Sequence, residues 1–122
     1  MEMYKVRNVD FQHKDDRGIL TQLIHEGYQQ INILESLKGV IRGEHFHKIS
    51  TEAFYLIYGS VKVEFMRDGE KKVVTFNKGD FFEIPPLVIH TMIFNEDCLM
   101  VQMYDVPVKN DKGVDIYTVN DI

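Results

Sequence analysis

The sequence predicts an all-β fold. Turn signals recur at short intervals: Asp15-Asp16-Arg17-Gly18, Lys38-Gly39, Tyr58-Gly59-Ser60, Arg67-Asp68-Gly69, Asn77-Lys78-Gly79-Asp80 and Pro85-Pro86. The runs between them are too short for typical helices, and several are rich in β-branched and aromatic residues. No stretch holds a helical hydrophobic period, and no internal repeat or low-complexity tract interrupts the pattern.

In chain order, Tyr4-Lys5-Val6 reads as a short apolar strand near the N-terminus. Residues 53–58, Ala-Phe-Tyr-Leu-Ile-Tyr, form the first strong strand. Residues 61–65, Val-Lys-Val-Glu-Phe, alternate apolar with charged, as one face meets a core and the other meets water. Asp68-Gly69 then marks a hairpin into residues 72–76. Residues 98–104 are a further strand, the polar segment 108–113 is a loop, and Ile116 to Val119 is a final strand. Many short strands with glycine-rich turns fit a sandwich or a barrel, and the pattern of strands alone does not choose between them.

At 122 residues the chain suits one domain, taken as 1–122. Hydrophobic content of 44% with 27% charged residues is that of a soluble protein, without an apolar run fit for a membrane span or a signal sequence. A cytoplasmic location is expected. Cys98 is alone in an apolar run, which excludes an intramolecular disulfide and reads as a buried, inert thiol. A net charge of -5 with scattered basic residues excludes a nucleic-acid footprint and leaves a small molecule as the expected partner.

Chemistry enters with the histidines. The chain reads Gly39, five residues, His45-Phe46-His47, four residues, Glu52, six residues, Gly59; a second block reads Gly79, five residues, Pro85, then His90. His45 and His47 fall on one face of a strand, Glu52 opens the next strand, and His90 can close the set from another. Imidazoles plus a carboxylate suit zinc, iron, nickel or manganese and leave a coordination position open. His13 and His25 fit no such pattern and are expected to be exposed or structural.

These two blocks resemble the paired motifs of the cupin superfamily, which implies a single cupin jelly-roll barrel. The second block departs from the pattern at Leu87, where glycine is usual, and at Asn95, one residue late. Further similarity lies at Asp16-Arg17-Gly18, Gln30-x-Asn32 and Gly39-Val40-x-Arg42-Gly43-x-His45-Phe46, which resemble dTDP-4-dehydrorhamnose 3,5-epimerases. Arg42-Gly43-x-His45-x-His47-Lys48, Gly59-Ser60-Val61-Lys62 and Pro86-Leu87-Val88-x-His90 resemble sugar-nucleotide 3,4-ketoisomerases. His45, His47, Glu52 and Phe54 also resemble the zinc-carrying cupin domains of capsule-sugar enzymes.

The resemblance implies a nucleoside-diphosphate 4-keto-6-deoxy sugar as substrate, no organic cofactor, and Arg42 near the phosphates, where a guanidinium binds oxygens bidentately. Simple alternation from His45 turns Arg42 away from a pocket, so this role needs a bulge at Gly43. The carbonyl of such a sugar acidifies the C3 proton, which a neutral histidine, His45 or His47, removes to leave an enediolate. Glu52 stands where the ketoisomerases usually have an uncharged polar residue, and a nitrogen lone pair given to a metal cannot also accept a proton. With a metal on His45, His47, Glu52 and His90, the base is another group, with Tyr55 and Tyr104 nearest in sequence. A metal-dependent enzyme of another class, dioxygenase-like, and a non-catalytic binding module are the alternatives. Edge strands near both termini want covering, and a homodimer is expected.

Overall fold

The computed structural model describes residues 2–121. It contains fourteen strands: β1 Lys5–Arg7, β2 Phe11–Asp15, β3 Gly18–Gln22, β4 Gln30–Ser36, β5 Ile41–Phe46, β6 Glu52–Tyr58, β7 Ser60–Arg67, β8 Glu70–Asn77, β9 Phe81–Ile84, β10 Ile89–Ile93, β11 Cys98–Tyr104, β12 Lys109–Asn110, β13 Gly113–Val114 and β14 Tyr117–Thr118. The one helical element among the described residues is a 3-10 turn, Val119–Asp121. The segment expected to be a loop, 108–113, carries the two-residue hairpin β12–β13.

Two antiparallel five-stranded sheets form the body, in the orders β1-β9-β6-β11-β4 and β14-β5-β10-β7-β8. Apolar side chains alternate inward from both, as the period of a half-buried strand requires. Phe54, Leu56, Phe82, Ile84 and Met100 of the first sheet pack against Val61, Val63, Phe65, Phe76 and Met92 of the second. Phe76 and Phe82 stack across the gap with centroids 3.7 Å apart. This is the jelly roll that the motifs imply.

The sheets do not close into a continuous hydrogen-bonded barrel. Their outer strands are β1 and β4 in one and β14 and β8 in the other. With three residues in β1 and two in β14, those edges offer few backbone groups to bridge the seam. Gly59 carries the chain from β6 in one sheet to β7 in the other. Its φ is +88°, and a Cβ there would lie 2.4 Å from the carbonyl oxygen of Asp97, so the crossover excludes every other residue.

The β7–β8 hairpin turns at Asp68-Gly69, where φ is positive at both residues, as a tight hairpin turn demands. Leu87 has a φ of 72°, so the chain keeps a glycine-like backbone where the cupin pattern has glycine. Its N–H donates to the carbonyl of His47 at 2.7 Å, which holds the strained residue in place. Cys98 is buried, and burial pushes its thiol up to about 11, which keeps it inert.

Candidate functional site

Strand register brings the sequence motif together. His45 of β5 pairs with His90 of β10, and Glu52, first in β6, pairs with Tyr104, last in β11. His47 lies just beyond the end of β5. One ligand-type atom from each of His45, His47, Glu52 and His90 falls within 4.8 Å of the others. All but His47 line a cavity of about 440 Å³, together with Arg42, Gln102 and Tyr104 and an apolar wall of Leu34, Met92 and Ile116. That volume is within the range of small-ligand sites. A larger concavity of about 710 Å³ beside Tyr4 and Lys72 gathers no such donors.

Arg42 reaches this cavity because β5 is bulged. His90 faces His45 while Thr91 faces Gly43, which leaves Glu44 as the extra residue with a φ of 59°. The bulge shifts the alternation by one, so Arg42 and His45 line the same cavity. The Arg42 guanidinium is steadied at the rim by the Ser36 hydroxyl at 2.9 Å and the Glu35 carbonyl at 3.0 Å.

Glu52 is fully buried. Its Oε2 accepts from Gln102 Nε2 and from the Tyr104 hydroxyl, each at 2.8 Å, and Gln102 in turn accepts from Asn32 Nδ2 at 3.0 Å. Its Oε1 faces His47 Nε2 at 3.3 Å and His90 Nε2 at 2.9 Å. Burial works to raise the Glu52 carboxyl, but His90 and His47 outweigh it and hold it far below the usual carboxylate range.

The outer side of each ring settles its tautomer. His47 Nδ1–H donates to the carbonyl of Asp115, and His90 Nδ1–H donates to the carbonyl of Val88 at 3.2 Å. A carbonyl only accepts, so in each neutral ring the Nε2 lone pair is turned toward Glu52 Oε1. His90 Nε2 is buried with no hydrogen-bond partner, although Oε1 is close by. Two lone pairs aimed at one carboxylate oxygen repel unless a proton or a metal cation stands among them, and carbonyl acceptors behind ligating histidines are the usual second layer of a metal site. The donor set therefore fits a divalent transition metal.

His45 differs from the other two. It is half-buried, it lines the cavity, and no hydrogen bond reaches its ring nitrogens among the described residues. Burial, followed by repulsion from His90 and His47, pushes its pKa down to about 4 against the pull of Glu52, so it is neutral at physiological pH. For His47, burial is outweighed by the contact with Glu52, and its pKa is raised.

The signs give a pH prediction for the metal-free protein. His45 has a folded pKa below the ordinary imidazole value of 6.5, so the unfolded chain takes up the proton first and stability falls as the pH drops from 6.5 to about 4. Glu52 adds to this loss where the pH falls through its own depressed folded value. His47 contributes the other way, with stability fully present below 6.5 and lost as the pH rises through its raised folded pKa, so it leaves the acid window unchanged. Urea melts of wild type and His45→Gln between pH 7 and 4 measure this. The slope flattens in the variant, and equal slopes would remove His45 from the titration.

Not every residue singled out in the sequence reaches the site. Tyr55 lies on the outer face of its sheet against Phe81 and Met103, and is no candidate base. Tyr104 reaches the site, but burial and then Glu52 raise its phenol far above its ordinary value and leave it a donor. Arg17 pairs with Asp15 at 2.6 Å on the exposed tip of the β2–β3 hairpin. His13 and His25 are exposed beside Asp15 and Asp10 respectively. The Gln30-x-Asn32 pair does bear on the site: Asn32 steadies Gln102, and Gln30 accepts the Val108 N–H at 3.0 Å. Sequence reasoning missed Gln102 and Asp115. The first was within reach, since it stands two residues from Tyr104 on the same strand face. The second acts across 68 positions on His47 and leaves no local signal.

The family described as "Polysaccharide biosynthesis C-terminal domain" matches residues 13–117. No curated protein matches the chain. Among solved structures, a histidine-to-asparagine variant of the 3,4-ketoisomerase QdtA from Thermoanaerobacterium thermosaccharolyticum, in complex with TDP-4-keto-6-deoxyglucose, has a TM-score of 0.81 at 21% identity, covering 99% of this chain and 91% of that one. WlaRA, a TDP-fucose-3,4-ketoisomerase from Campylobacter jejuni, has a TM-score of 0.77 at 18% identity over 97% and 90% of the two chains. The capsular polysaccharide assembling protein CapF from Staphylococcus aureus has a TM-score of 0.63 at 19% identity, covering 88% of this chain but 33% of CapF. At these identities the likeness is one of fold.

Proposed function

The chain belongs to the polysaccharide biosynthesis C-terminal domain family, and on that premise we propose that it is an isomerase or epimerase of a nucleoside-diphosphate 4-keto-6-deoxy sugar, working as one cupin domain over residues 1–122. The observation that carries this reading is the bulge at Gly43-Glu44, which sets Arg42 and His45 on one cavity. A phosphate-binding guanidinium then stands near a neutral imidazole, the pair that the substrate chemistry asks for. The fold shared with two ketoisomerases of TDP sugars supports the substrate class.

In this reading Arg42 takes the diphosphate, and the sugar ring enters the cavity toward His45. His45 removes the C3 proton, its neutral state at physiological pH leaving it free to accept. Return of that proton at C4, with the C3 hydroxyl proton passing to O4, moves the ketone, and return at C3 from the other face inverts the carbon. Tyr104 and Gln102 donate to Glu52 and keep it an oriented anion. His47, Glu52 and His90, with their remaining lone pairs converging, would hold a cation, one zinc, iron, nickel or manganese ion per chain, which would supply Lewis-acid polarisation of a ketone oxygen. Giving His45 to the proton and the other three residues to the ion resolves the conflict between the two roles of the histidines. His47 suits this division, since it is 3% exposed and its Nδ1–H is committed to the Asp115 carbonyl, which leaves Nε2 for the cation.

We also propose a cytoplasmic homodimer. Among the described residues no helix is long and apolar enough to cross a membrane. On edge strand β4, Ile31 and Ile33 are 59% and 67% exposed, an apolar edge that a second copy would cover.

One preparation tests these points. With TDP-4-keto-6-deoxyglucose in deuterium oxide, deuterium enters at C3 or C4, elemental analysis gives about one transition metal per chain, and sedimentation gives a dimer. Absence of exchange at either carbon with any 4-keto-6-deoxy sugar nucleotide would sink the isomerase reading. Saturable binding without exchange would leave a sugar-binding module, and oxygen uptake with iron would leave a dioxygenase.

A further inference from the structure

The segment from β12 to β14 meets the site at Ile116 on the cavity wall, at Thr118 opposite His45 and, through the most hydrogen bonds, at Asp115. Asp115 is 4% exposed, and its carboxylate accepts the backbone N–H of Lys48 at 2.8 Å, of Ile49 at 3.1 Å and of Ser50 at 2.9 Å. Its carbonyl accepts the Nδ1–H of His47, and its own N–H donates to the Val108 carbonyl at 2.8 Å. Every polar group of Asp115 is thereby committed: to the turn after His47, to the ring of His47, and to the start of the terminal segment.

Beyond Asp115, the segment is held by the Val108 N–H on Gln30 Oε1 at 3.0 Å, by the buried Val108 side chain and by the stack of Tyr117 on Phe46 at 5.6 Å. Strand β14 pairs with β5 at two positions only, Tyr117 with Phe46 and Thr118 with His45. The Lys48 ammonium lies 4.1 Å from the centre of the Tyr117 ring, an exposed and therefore weak cation–π contact. A two-residue strand does not hold itself in place. If the segment lifts away, His47 loses the acceptor that sets its tautomer, and the turn 48–50 loses three hydrogen bonds at once. Orientation of His47 and docking of the segment are one event.

We infer that Asp115 is a positioning residue, which aims His47 Nε2 into the donor set and couples docking of residues 108–118 to the binding of a divalent cation there. This rests on the cation reading of His47, Glu52 and His90 proposed above. A cation that binds only the docked form must stabilise it, by linkage.

The test uses the full chain with zinc as the probe, titrated against a chromophoric chelator, with backbone hydrogen exchange followed in parallel. In wild type, zinc slows exchange at residues 48–50 and across 108–118. Asp115→Ala keeps the carbonyl that accepts from His47 but removes the carboxylate that pins the turn 48–50 and holds that carbonyl in place, so it weakens zinc binding by about 10-fold, the lower end of the loss when a partner behind a ligating histidine is disturbed. Asp115→Asn falls between, since its amide NH2 opposes one of the three N–H donors. A merely structural role lowers the unfolding temperature of the metal-free protein and leaves zinc affinity unchanged, and that result overturns the inference. Zinc binding in wild type with no change in exchange at either segment overturns it as well, and needs no variant that folds. A wild type that takes up no zinc overturns the cation reading and this inference together, whereas zinc-binding wild type with an unaffected Asp115→Ala overturns the inference alone.

Discussion

Glu52→Gln is expected to abolish metal binding while leaving the metal-free protein folded. The two oxygens of Glu52 have different surroundings. Oε2 faces two donors, Gln102 Nε2 and the Tyr104 hydroxyl, so the amide oxygen of a glutamine must stay there. Its NH2 group then occupies the place of Oε1, facing the Nε2 lone pairs of His47 and His90, to which it donates. The variant is neutral, isosteric and hydrogen-bonded without a cation. The buried carboxylate, by contrast, is stable only with positive charge beside it. Zinc affinity falls by more than about 100-fold, beyond the roughly 10–100-fold of an outer partner, because a ligand has been replaced. Thermal melts check this: at a zinc concentration about 100 times its Kd, wild type gains about 2.7 kcal/mol, and Glu52→Gln gains almost none. Undiminished zinc stabilisation of the variant would remove Glu52 from the site. Glu52→Ala gives a different outcome, a destabilised metal-free protein, since the two donors of Gln102 and Tyr104 are left buried without an acceptor.

The difference between these two variants shows what the sequence could and could not tell. The gathering of four residues was legible because strand period and turn spacing are local properties: His45 and His47 two apart, Glu52 at the head of a new strand, His90 past a double proline. Strands at 53–58, 61–65, 72–76 and 98–104 were legible for the same reason, each lying inside an observed strand. The short strands β5, β9 and β10 carry weaker alternation and owe their place to pairing in the sheet. Open rather than closed sheets were not legible, because closure depends on whether edge strands far apart in sequence reach one another. Long-range hydrogen bonds were least legible: the carbonyl of Asp115 on His47 depends on the path of the chain, as does that of Val88 on the rotamer of His90. Arg42 lies between these extremes. Its type suggested a phosphate partner, and its direction turned on the one residue whose backbone freedom the sequence announced, Gly43.

Gly43→Ala is therefore expected to be among the most damaging single-methyl changes in the chain. At Gly43 the φ is +120°, and a Cβ would lie 2.4 Å from the carbonyl oxygen of His90 and 2.9 Å from the Cα of Thr91. Both neighbours are backbone of β10, so no side-chain rotation makes room and the two strands must part. The dihedral alone, in a region nearly confined to glycine, costs of order 1–3 kcal/mol. The forced separation of β5 from β10 adds to it, giving a loss above about 3 kcal/mol, a large share of the roughly 5–15 kcal/mol that holds a domain folded. Gly39→Ala is the control, because φ there is +90° with nothing within 4 Å of the added Cβ, so it carries the dihedral cost without the clash. Urea denaturation separates the two: Gly43→Ala loses clearly more than Gly39→Ala, and equal losses would show that β10 yields at no cost. The damage also reaches function, since the same bulge brings Arg42 onto the cavity and His45 opposite His90. Whatever fraction of Gly43→Ala remains folded should show weaker binding of TDP and slower exchange at the sugar, whereas Gly39→Ala keeps both.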